Sequence, residues 1–290
     1  MQEITEQAFA KLNISLDVTG RRPDGYHDMC MVMQSVSLCD DVSVSLREGG
    51  RVCAATNLRY LPCDERNIAV KAAHAFFRAA EIKNTGADIG IRKRIPVCAG
   101  MGGGSSDGAA VLRALNRLCK KPFSRRQLEA LGASLGSDIP FCVAGGTALA
   151  RGRGEILSPL PDFPACRFVI VKPRFSVSTP ELFAKLDRSP IRCRPDTSGI
   201  LRSLGNGDLS GISRRMYNVF EPALPPKPDD IPQIKAALFD CGALGAVMTG
   251  TGSAVFGVFG DAAQAESAVR ILSKSHSDVF LALPQPALEL

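Results

Sequence analysis

Between Ile95 and Asn116 the chain reads Ile-Pro-Val-Cys-Ala-Gly-Met-Gly-Gly-Gly-Ser-Ser-Asp-Gly-Ala-Ala-Val-Leu-Arg-Ala-Leu-Asn. Gly100, Gly102, Gly103 and Gly104 leave backbone N–H groups without side chains over them, and Ser105, Ser106 and Asp107 follow as good N-cap types. The apolar spacing from Ala109 to Leu115 then predicts a helix. Such a loop delivers unpaired N–H groups to the positive end of a helix dipole, which is an anion site. The chemistry this suggests is phosphate binding.

A flexible Gly-Ser linker would carry the same residue types. This run is short, however, and opens directly into a helix between ordered-looking segments, which favours phosphate. The P-loop is excluded, because no glycine precedes a Lys-Ser or Lys-Thr pair. The protein-kinase signatures His-Arg-Asp and Asp-Phe-Gly are also missing. Gly104-Ser-Ser106-Asp-Gly108 fits the Gly-x-Ser-x-Gly elbow of hydrolases, with Ser106 as nucleophile. That motif needs a strand running straight into the serine and a histidine partner. The preceding residues are mostly glycine, and His276 is the one histidine downstream.

Other residues could carry chemistry. Lys11 and Asn13 lie two apart on a predicted strand and so share a face, which on the strand's pattern alone reads as the solvent side. Asp138 sits in a glycine-flanked turn, Leu135-Gly-Ser-Asp-Ile-Pro-Phe141, where an aspartate ordinarily bonds its own backbone. Tyr26 and His27 pair an aromatic with an imidazole just after the turn Thr19–Gly25. His74 lies within an amphipathic segment and reads as packed or exposed.

The elements that must position these groups follow from the patterning. Strands are expected at Phe9–Val18, Tyr26–Leu38, Val42–Leu46, Ile89–Ile95, within Gly145–Glu155 (a strand and turn), at Arg167–Lys172, on either side of Gly250-Thr-Gly-Ser253, and at Val279–Leu283. Helices are expected at Asn67–Ala80, from the glycine loop to near Cys119, at Ser124–Leu135 with a Ser124/Gln127 capping box, from Ser178, at Asp230–Leu238 and at Ala262–Ser273. The polar stretch from Arg188 to Gly207 gives no clear pattern. Three prolines between Pro159 and Pro164 suggest a boundary. The result is an α+β protein of two layered domains, 1–160 and 161–290.

Composition narrows the function classes. The 290 residues carry a formal charge of +6, with 45% hydrophobic and 22% charged residues, as in ordinary globular proteins that can bury a sizeable core. No apolar run approaches the ~20 residues of a membrane span, and the acidic start Met-Gln-Glu-Ile-Thr-Glu does not read as a signal peptide. Ten scattered cysteines without a Cys-x-x-Cys pair suit reduced thiols, so a cytoplasmic setting is expected. The basic clusters Arg92-Lys-Arg94 and Lys120-Lys121 lack interleaved aromatics and tryptophan is absent, which argues against nucleic acid.

Three stretches together resemble the GHMP kinases, a family of small-molecule kinases. They are Ala10-Lys-Leu-Asn-Ile14, the loop from Pro96 to Ala110, and Gly250-Thr-Gly-Ser253, in that order. Thr19-Gly-Arg-Arg-Pro-Asp-Gly-Tyr-His27, Leu135–Phe141 and Gly152-Arg-Gly-Glu155 narrow the resemblance to members acting on a cytidine-bearing alcohol. The resemblance implies a two-domain fold with the ATP loop in the first domain, substrate residues in the second and the active site in the cleft between. It implies ATP-dependent phosphorylation of the 2-hydroxyl of 4-diphosphocytidyl-2-C-methyl-D-erythritol, with Mg2+ expected and no protein ligand assigned to it. Other small alcohols such as homoserine or mevalonate, and a non-catalytic sensor on the same fold, are the alternatives.

The resemblance also assigns residues. Lys11 and Asp138 would be the catalytic pair, the aspartate as general base and the lysine keeping it ionised and stabilising the alkoxide. Pro96, Val97, Cys98, Ala99, Gly100, Met101, Gly102, Gly103, Gly104, Ser105 and Ser106 would hold ATP. Tyr26 and Phe183 would sandwich the cytosine, His27 would hydrogen-bond its edge, and Asn13 would help place the substrate. Two departures stand out. Cys98-Ala-Gly-Met101 is poorer in glycine than the family's loop, and Ser137 stands where the family usually has alanine.

Overall fold

The computed structural model describes residues 2–120, 122–188, 190–224 and 231–289. Its frame is a pair of long antiparallel strands, β1 (Glu3–Arg21) and β2 (His27–Glu48), joined by the predicted Pro-Gly turn. The two expected strands over 26–46 are one continuous β2. Its first part pairs with β5 and its second part with β4, so a single strand serves two neighbours. The β1–β2 register shifts between Phe9 and Ala10 and again between Asn13 and Ser15. These irregularities bracket Lys11 and Asn13, and bulges re-aim side chains in this way.

The first half continues with β3 (Val52–Thr56), α1 (Ile68–Ala79), β4 (Thr85–Arg92), α2 (Gly103–Leu118), α3 (Arg125–Ala133), α4 (Ile139–Ala144), β5 (Thr147–Gly152) and β6 (Ile156–Pro159). The second contains β7 (Arg167–Lys172), α5 (Thr179–Asp187), α6 (Thr197–Gly205), α7 (Leu209–Ser213), β8 (Tyr217–Asn218), α8 (Ile231–Asp240), β9 (Gly245–Met248), β10 (Val255–Phe259), α9 (Ala262–Leu272) and β11 (Asp278–Ala282). One sheet runs β3-β4-β2-β1-β8, with β5 and β6 branching from β2. The other runs β11-β7-β10-β9.

Most helices form where the periodicity places them. Asn67 caps α1 by accepting from Ala69 N at 2.9 Å, and Phe76 and Phe77 are on its buried face. Ser124 donates to Gln127 Oε1 from both its N–H and its hydroxyl, giving α3 its capping box. Helix α2 differs. Its cap is Gly102, with φ +69°, so Ser105, Ser106 and Asp107 lie inside the helix rather than before it. The helices α4, α6 and α7, the strands β3 and β6 and the two-residue β8 lie outside the expected elements; the shortest of them carry too little periodicity to register. Asp230 and Lys121 lie outside the described residues, and the helix expected from Asp230 is described from Ile231.

Two buried ionic clusters fasten α2 to the sheet. Arg113, in the middle of α2, donates to Glu6 Oε2 (3.1 Å), Gln7 O (2.8 Å) and Cys142 O (2.8 Å), which ties α2 to both β1 and α4. Lys93, just after β4, holds Asp40 of β2 and, at 2.7 Å, Asp107 of α2. Asp40 accepts in addition from Ile95 N at 2.8 Å. Two carboxylates thus share one ammonium, and among the described residues the Oδ1 of Asp107 has no hydrogen-bond partner. Burial pushes the Asp107 carboxyl up to about 7; Lys93 opposes the rise and Asp40 adds to it.

A carboxyl raised in the folded state binds more protons folded than unfolded, so its contribution to stability falls as pH rises from about 4 to about 7. Thermal unfolding across this range is expected to show that decline in the wild type, and Asp107→Asn should lessen it. Lys93→Met, which leaves two buried carboxylates without a cation, is expected to cost about 3–5 kcal/mol in chemical denaturation.

Candidate active site

Lys11 is the centre of the arrangement. The bulge-flanked segment of β1 turns it inward, where it is 4% exposed, and Asn13 is 1% exposed. The expectation that this pair faces solvent is therefore overturned, because the second half of the chain covers that face of β1. Lys11 Nζ donates to Asn13 Oδ1 at 2.6 Å and stands 3.9 Å from Asp138 Oδ2. Asn13 is itself held by Thr249, which accepts from the Asn13 N–H at 3.0 Å and donates to its Oδ1 at 3.3 Å. Asp138 precedes α4, and its side chain makes no capping hydrogen bond. The turn leaves the carboxylate unspent.

The glycine loop crosses directly over this lysine. Lys11 N donates to Met101 O at 3.0 Å. A Cβ added to Gly102 would come within 3.2 Å of Lys11 Cγ, and φ +69° is in any case a conformation that L side chains rarely adopt. On its other side the loop meets residues 249–254. Gly100, with φ +75°, approaches so closely that a Cβ would lie 2.2 Å from Thr249 O, while Ala254 N donates to Ala99 O at 3.2 Å. Cys98 also has positive φ (+54°). The turn therefore keeps a glycine-like shape at a position where the sequence departs from glycine.

Two cavities meet at this loop. One, of about 440 Å³, is lined by Pro96, Val97, Cys98, Ala99 and the run from Gly100 to Ser105, together with Asn67 and Lys93. The other, of about 690 Å³, is lined by Lys11, Asn13, Tyr26, His27, Asp138 and Phe183 among others. Gly100, Gly102, Ser105, Thr179 and Thr251 line both, so they form the wall where the cavities join. Thr179 and Thr251 lock across it, hydroxyl to hydroxyl at 2.8 Å.

Ser106 is the exception among the expected loop residues. It is 1% exposed and borders neither cavity; its hydroxyl donates to Phe9 O at 2.6 Å and its N–H to Gly102 O. The cause is the early start of α2, which rotates Ser106 onto the sheet. Its hydroxyl is thus not a donor to a ligand in the cavity. The hydrolase reading fails on the same geometry, since a nucleophile needs access to its substrate.

Tyr26 and Phe183 both line the acceptor cavity. His27 stacks on Phe183, with ring centroids 4.6 Å apart and planes at 24°, and its Nε2 lies 2.7 Å from Asp187 Oδ1. Consecutive residues entering a strand point to opposite sides, so only one of Tyr26 and His27 can turn towards α5. Tyr26 is 56% exposed, and the Arg153 guanidinium lies 5.2 Å above its ring. Arg153, Asp187, Thr179, Thr249 and Thr251 were not anticipated. Asp187 had a faint sequence signal, standing four residues after Phe183 on one helical face.

The GHMP kinases N terminal domain model matches residues 67–146, and the GHMP kinases C terminal model matches residues 200–278. A 4-diphosphocytidyl-2-C-methyl-D-erythritol kinase of Alkaliphilus metalliredigens is 40% identical over 97% of this chain and 96% of its own length. The chain belongs to the GHMP kinases. A second relative of the same description, from Exiguobacterium sibiricum, is 43% identical over 87% of this chain and 88% of its own. The crystal structure of a 4-(cytidine 5'-diphospho)-2C-methyl-D-erythritol kinase aligns with TM-score 0.79 at 31% identity, covering 97% of this chain and 99% of that one. The two-domain α+β fold is that of the family. Its members are ATP-dependent, so ATP is the phosphoryl donor.

The Gly102 contact gives a direct test. Gly102→Ala is expected to push Lys11 aside and to lower kcat at least tenfold, with about 1–2 kcal/mol lost to the left-handed backbone. Steady-state kinetics and denaturant unfolding of the same variant check both parts.

Proposed function

We propose that this chain transfers the γ-phosphoryl group of ATP to the 2-hydroxyl of 4-diphosphocytidyl-2-C-methyl-D-erythritol, a step of non-mevalonate isoprenoid precursor synthesis. The observation that carries this reading is the meeting of the two cavities at the glycine loop, with Lys11 and Asp138 on the acceptor side of the wall. The glycine-loop cavity takes the nucleotide. Gly100 to Ser105 surround the phosphates, and a Cβ built on Gly104 would touch nothing, so the backbone there is open to a ligand. The N-terminus of α2 adds its dipole.

On the acceptor side, Asp138 takes the proton of the attacking hydroxyl. Lys11, 3.9 Å from that carboxylate, stabilises the oxygen as it becomes nucleophilic. Asn13 acts through Lys11, because its carbonyl is committed to the ammonium. Tyr26 offers an aromatic face to the cytosine, His27 reads its edge, and Phe183 backs the imidazole. Arg153 supplies positive charge beside Tyr26, suited to the acceptor's diphosphate.

Magnesium enters with ATP. Among the described residues no group of three or more His, Cys, Asp or Glu could hold a metal. The carboxylate nearest the nucleotide, Asp107, is paired with Lys93. The residues do not fit a protein-built metal cage, and the ion is proposed to ride on the phosphates and water. We place the division between the nucleotide and substrate domains near residue 160, at 1–160 and 161–290. The ten unpaired thiols suit a reducing cytoplasm.

The test is a coupled ADP-release assay with the cytidine diphosphate methylerythritol acceptor beside homoserine and mevalonate. Turnover is expected with the first alone, and Asp138→Asn should lower kcat by about 10²–10⁴. Turnover of another alcohol would keep the kinase and discard the cytidine site. Full activity of Asp138→Asn would remove Asp138 as the base.

A further inference from the structure

His27 is held from two directions by one helix. Phe183 and Asp187 stand four apart on α5, so they share a face; the first stacks on the imidazole and the second bonds its Nε2 at 2.7 Å. The ring is largely buried, with its side chain 9% exposed, and it lines the acceptor cavity. The second oxygen of Asp187 faces Arg21 Nε at 3.9 Å, which leaves the first for the histidine. The hydrogen bond from His27 is the main cause holding the Asp187 carboxyl below its ordinary range, with Arg21 a smaller one. An ionised carboxylate only accepts, so the Nε2 facing it carries the proton.

That assignment fixes the other nitrogen. In a neutral imidazole with the proton on Nε2, Nδ1 is a lone-pair acceptor. Resting on the proposal that the cavity takes a cytidyl acceptor, we infer that Asp187 is a positioning residue that sets the His27 tautomer, so that Nδ1 accepts from the exocyclic amine of the base and disfavours a keto pyrimidine. Cytosine presents an amino donor at its position 4. Uracil presents a carbonyl there, which would place two lone pairs against each other. A site built to receive an N–H rejects the analogue that lacks it, because its buried acceptor is left unpaired. Asp187 touches no reacting atom in this scheme and acts through His27.

The experiment uses the full chain labelled with 15N-histidine. The protein has three histidines, His27, His74 and His276, and His27→Gln assigns the first. The wild type is expected to show His27 protonated on Nε2 with Nδ1 pyridine-like, and Asp187→Ala to shift both resonances towards mixed tautomers. In parallel, kcat/KM is compared for the 4-diphosphocytidyl acceptor and its uridyl counterpart. The wild type should favour the cytidyl form by at least tenfold. Asp187→Ala should narrow that ratio to threefold or less, with the loss falling on KM for the acceptor rather than on KM for ATP, and Asp187→Glu should restore part of it.

An unchanged tautomer or an unchanged base preference in Asp187→Ala would overturn the inference. If the wild type phosphorylates neither acceptor, the functional reading fails instead, and the NMR arm still decides whether Asp187 governs the imidazole.

Discussion

A buried ammonium is the constraint around which the rest of this molecule is arranged. Lys11 leaves water almost completely and lies close under a glycine loop at the positive end of a helix, where another cation is poorly tolerated. It is kept there by a carbonyl oxygen at 2.6 Å and a carboxylate at 3.9 Å. Each of these needs support of its own: Thr249 orients Asn13, and Arg113 binds α4, the helix that Asp138 precedes, to α2 and β1. An uncompensated charge would be costly at this position. The same surplus of positive field suits a site where negative charge gathers during phosphoryl transfer.

The two halves of the chain both contribute to this environment. Residues 249–254 interlock with the glycine loop, α5 brings Thr179, Phe183 and Asp187 to the acceptor side, and Asn218 of β8 donates to Met248 O and Gly250 O at 2.8 Å each. The strand carrying Asn218 pairs in parallel with β1 at Ser15 and Leu16, two to three residues beyond Asn13. The loop that supports the lysine from above is thus braced by a strand lying beside the lysine's own strand. Geometry at the seam is set by backbone contacts on three sides, which leaves little room for a longer side chain at Gly100 or Gly102.

Much of the molecule was legible in the sequence because its signals are local. Hydrophobic period gave α1, α2 and α9, the glycine and serine run gave the loop, and β7 matches its expected span residue for residue. What escaped depends on contacts distant in sequence. Lys11 and Asn13 look like a solvent face until residues from Thr249 onward cover them. Ser106 looks like a phosphate donor until the helix begins a turn earlier and points it at Phe9. The His27–Phe183 stack has no local signal either, because it joins the start of β2 to α5. Asp187 lies in no motif, and Arg153 lies in Gly152–Glu155 without a role that the motif assigns; the placement of both comes from the fold.

One feature of the first sheet bears on how the molecule is made. Residues 284–288 return to the amino-terminal half: Gln285 N donates to Ser35 O, Leu288 N to Ala144 O, and Ala287 bridges Gly145. On the ribosome, the first half must therefore emerge with the carbonyls of Ser35 in β2 and Ala144 in α4 lacking these partners while the second half is translated. An exposed edge of this kind invites pairing with another nascent chain. The amino-terminal half is completed only once residues 284–288 have been made, so its assembly waits on the second half rather than on its own emergence.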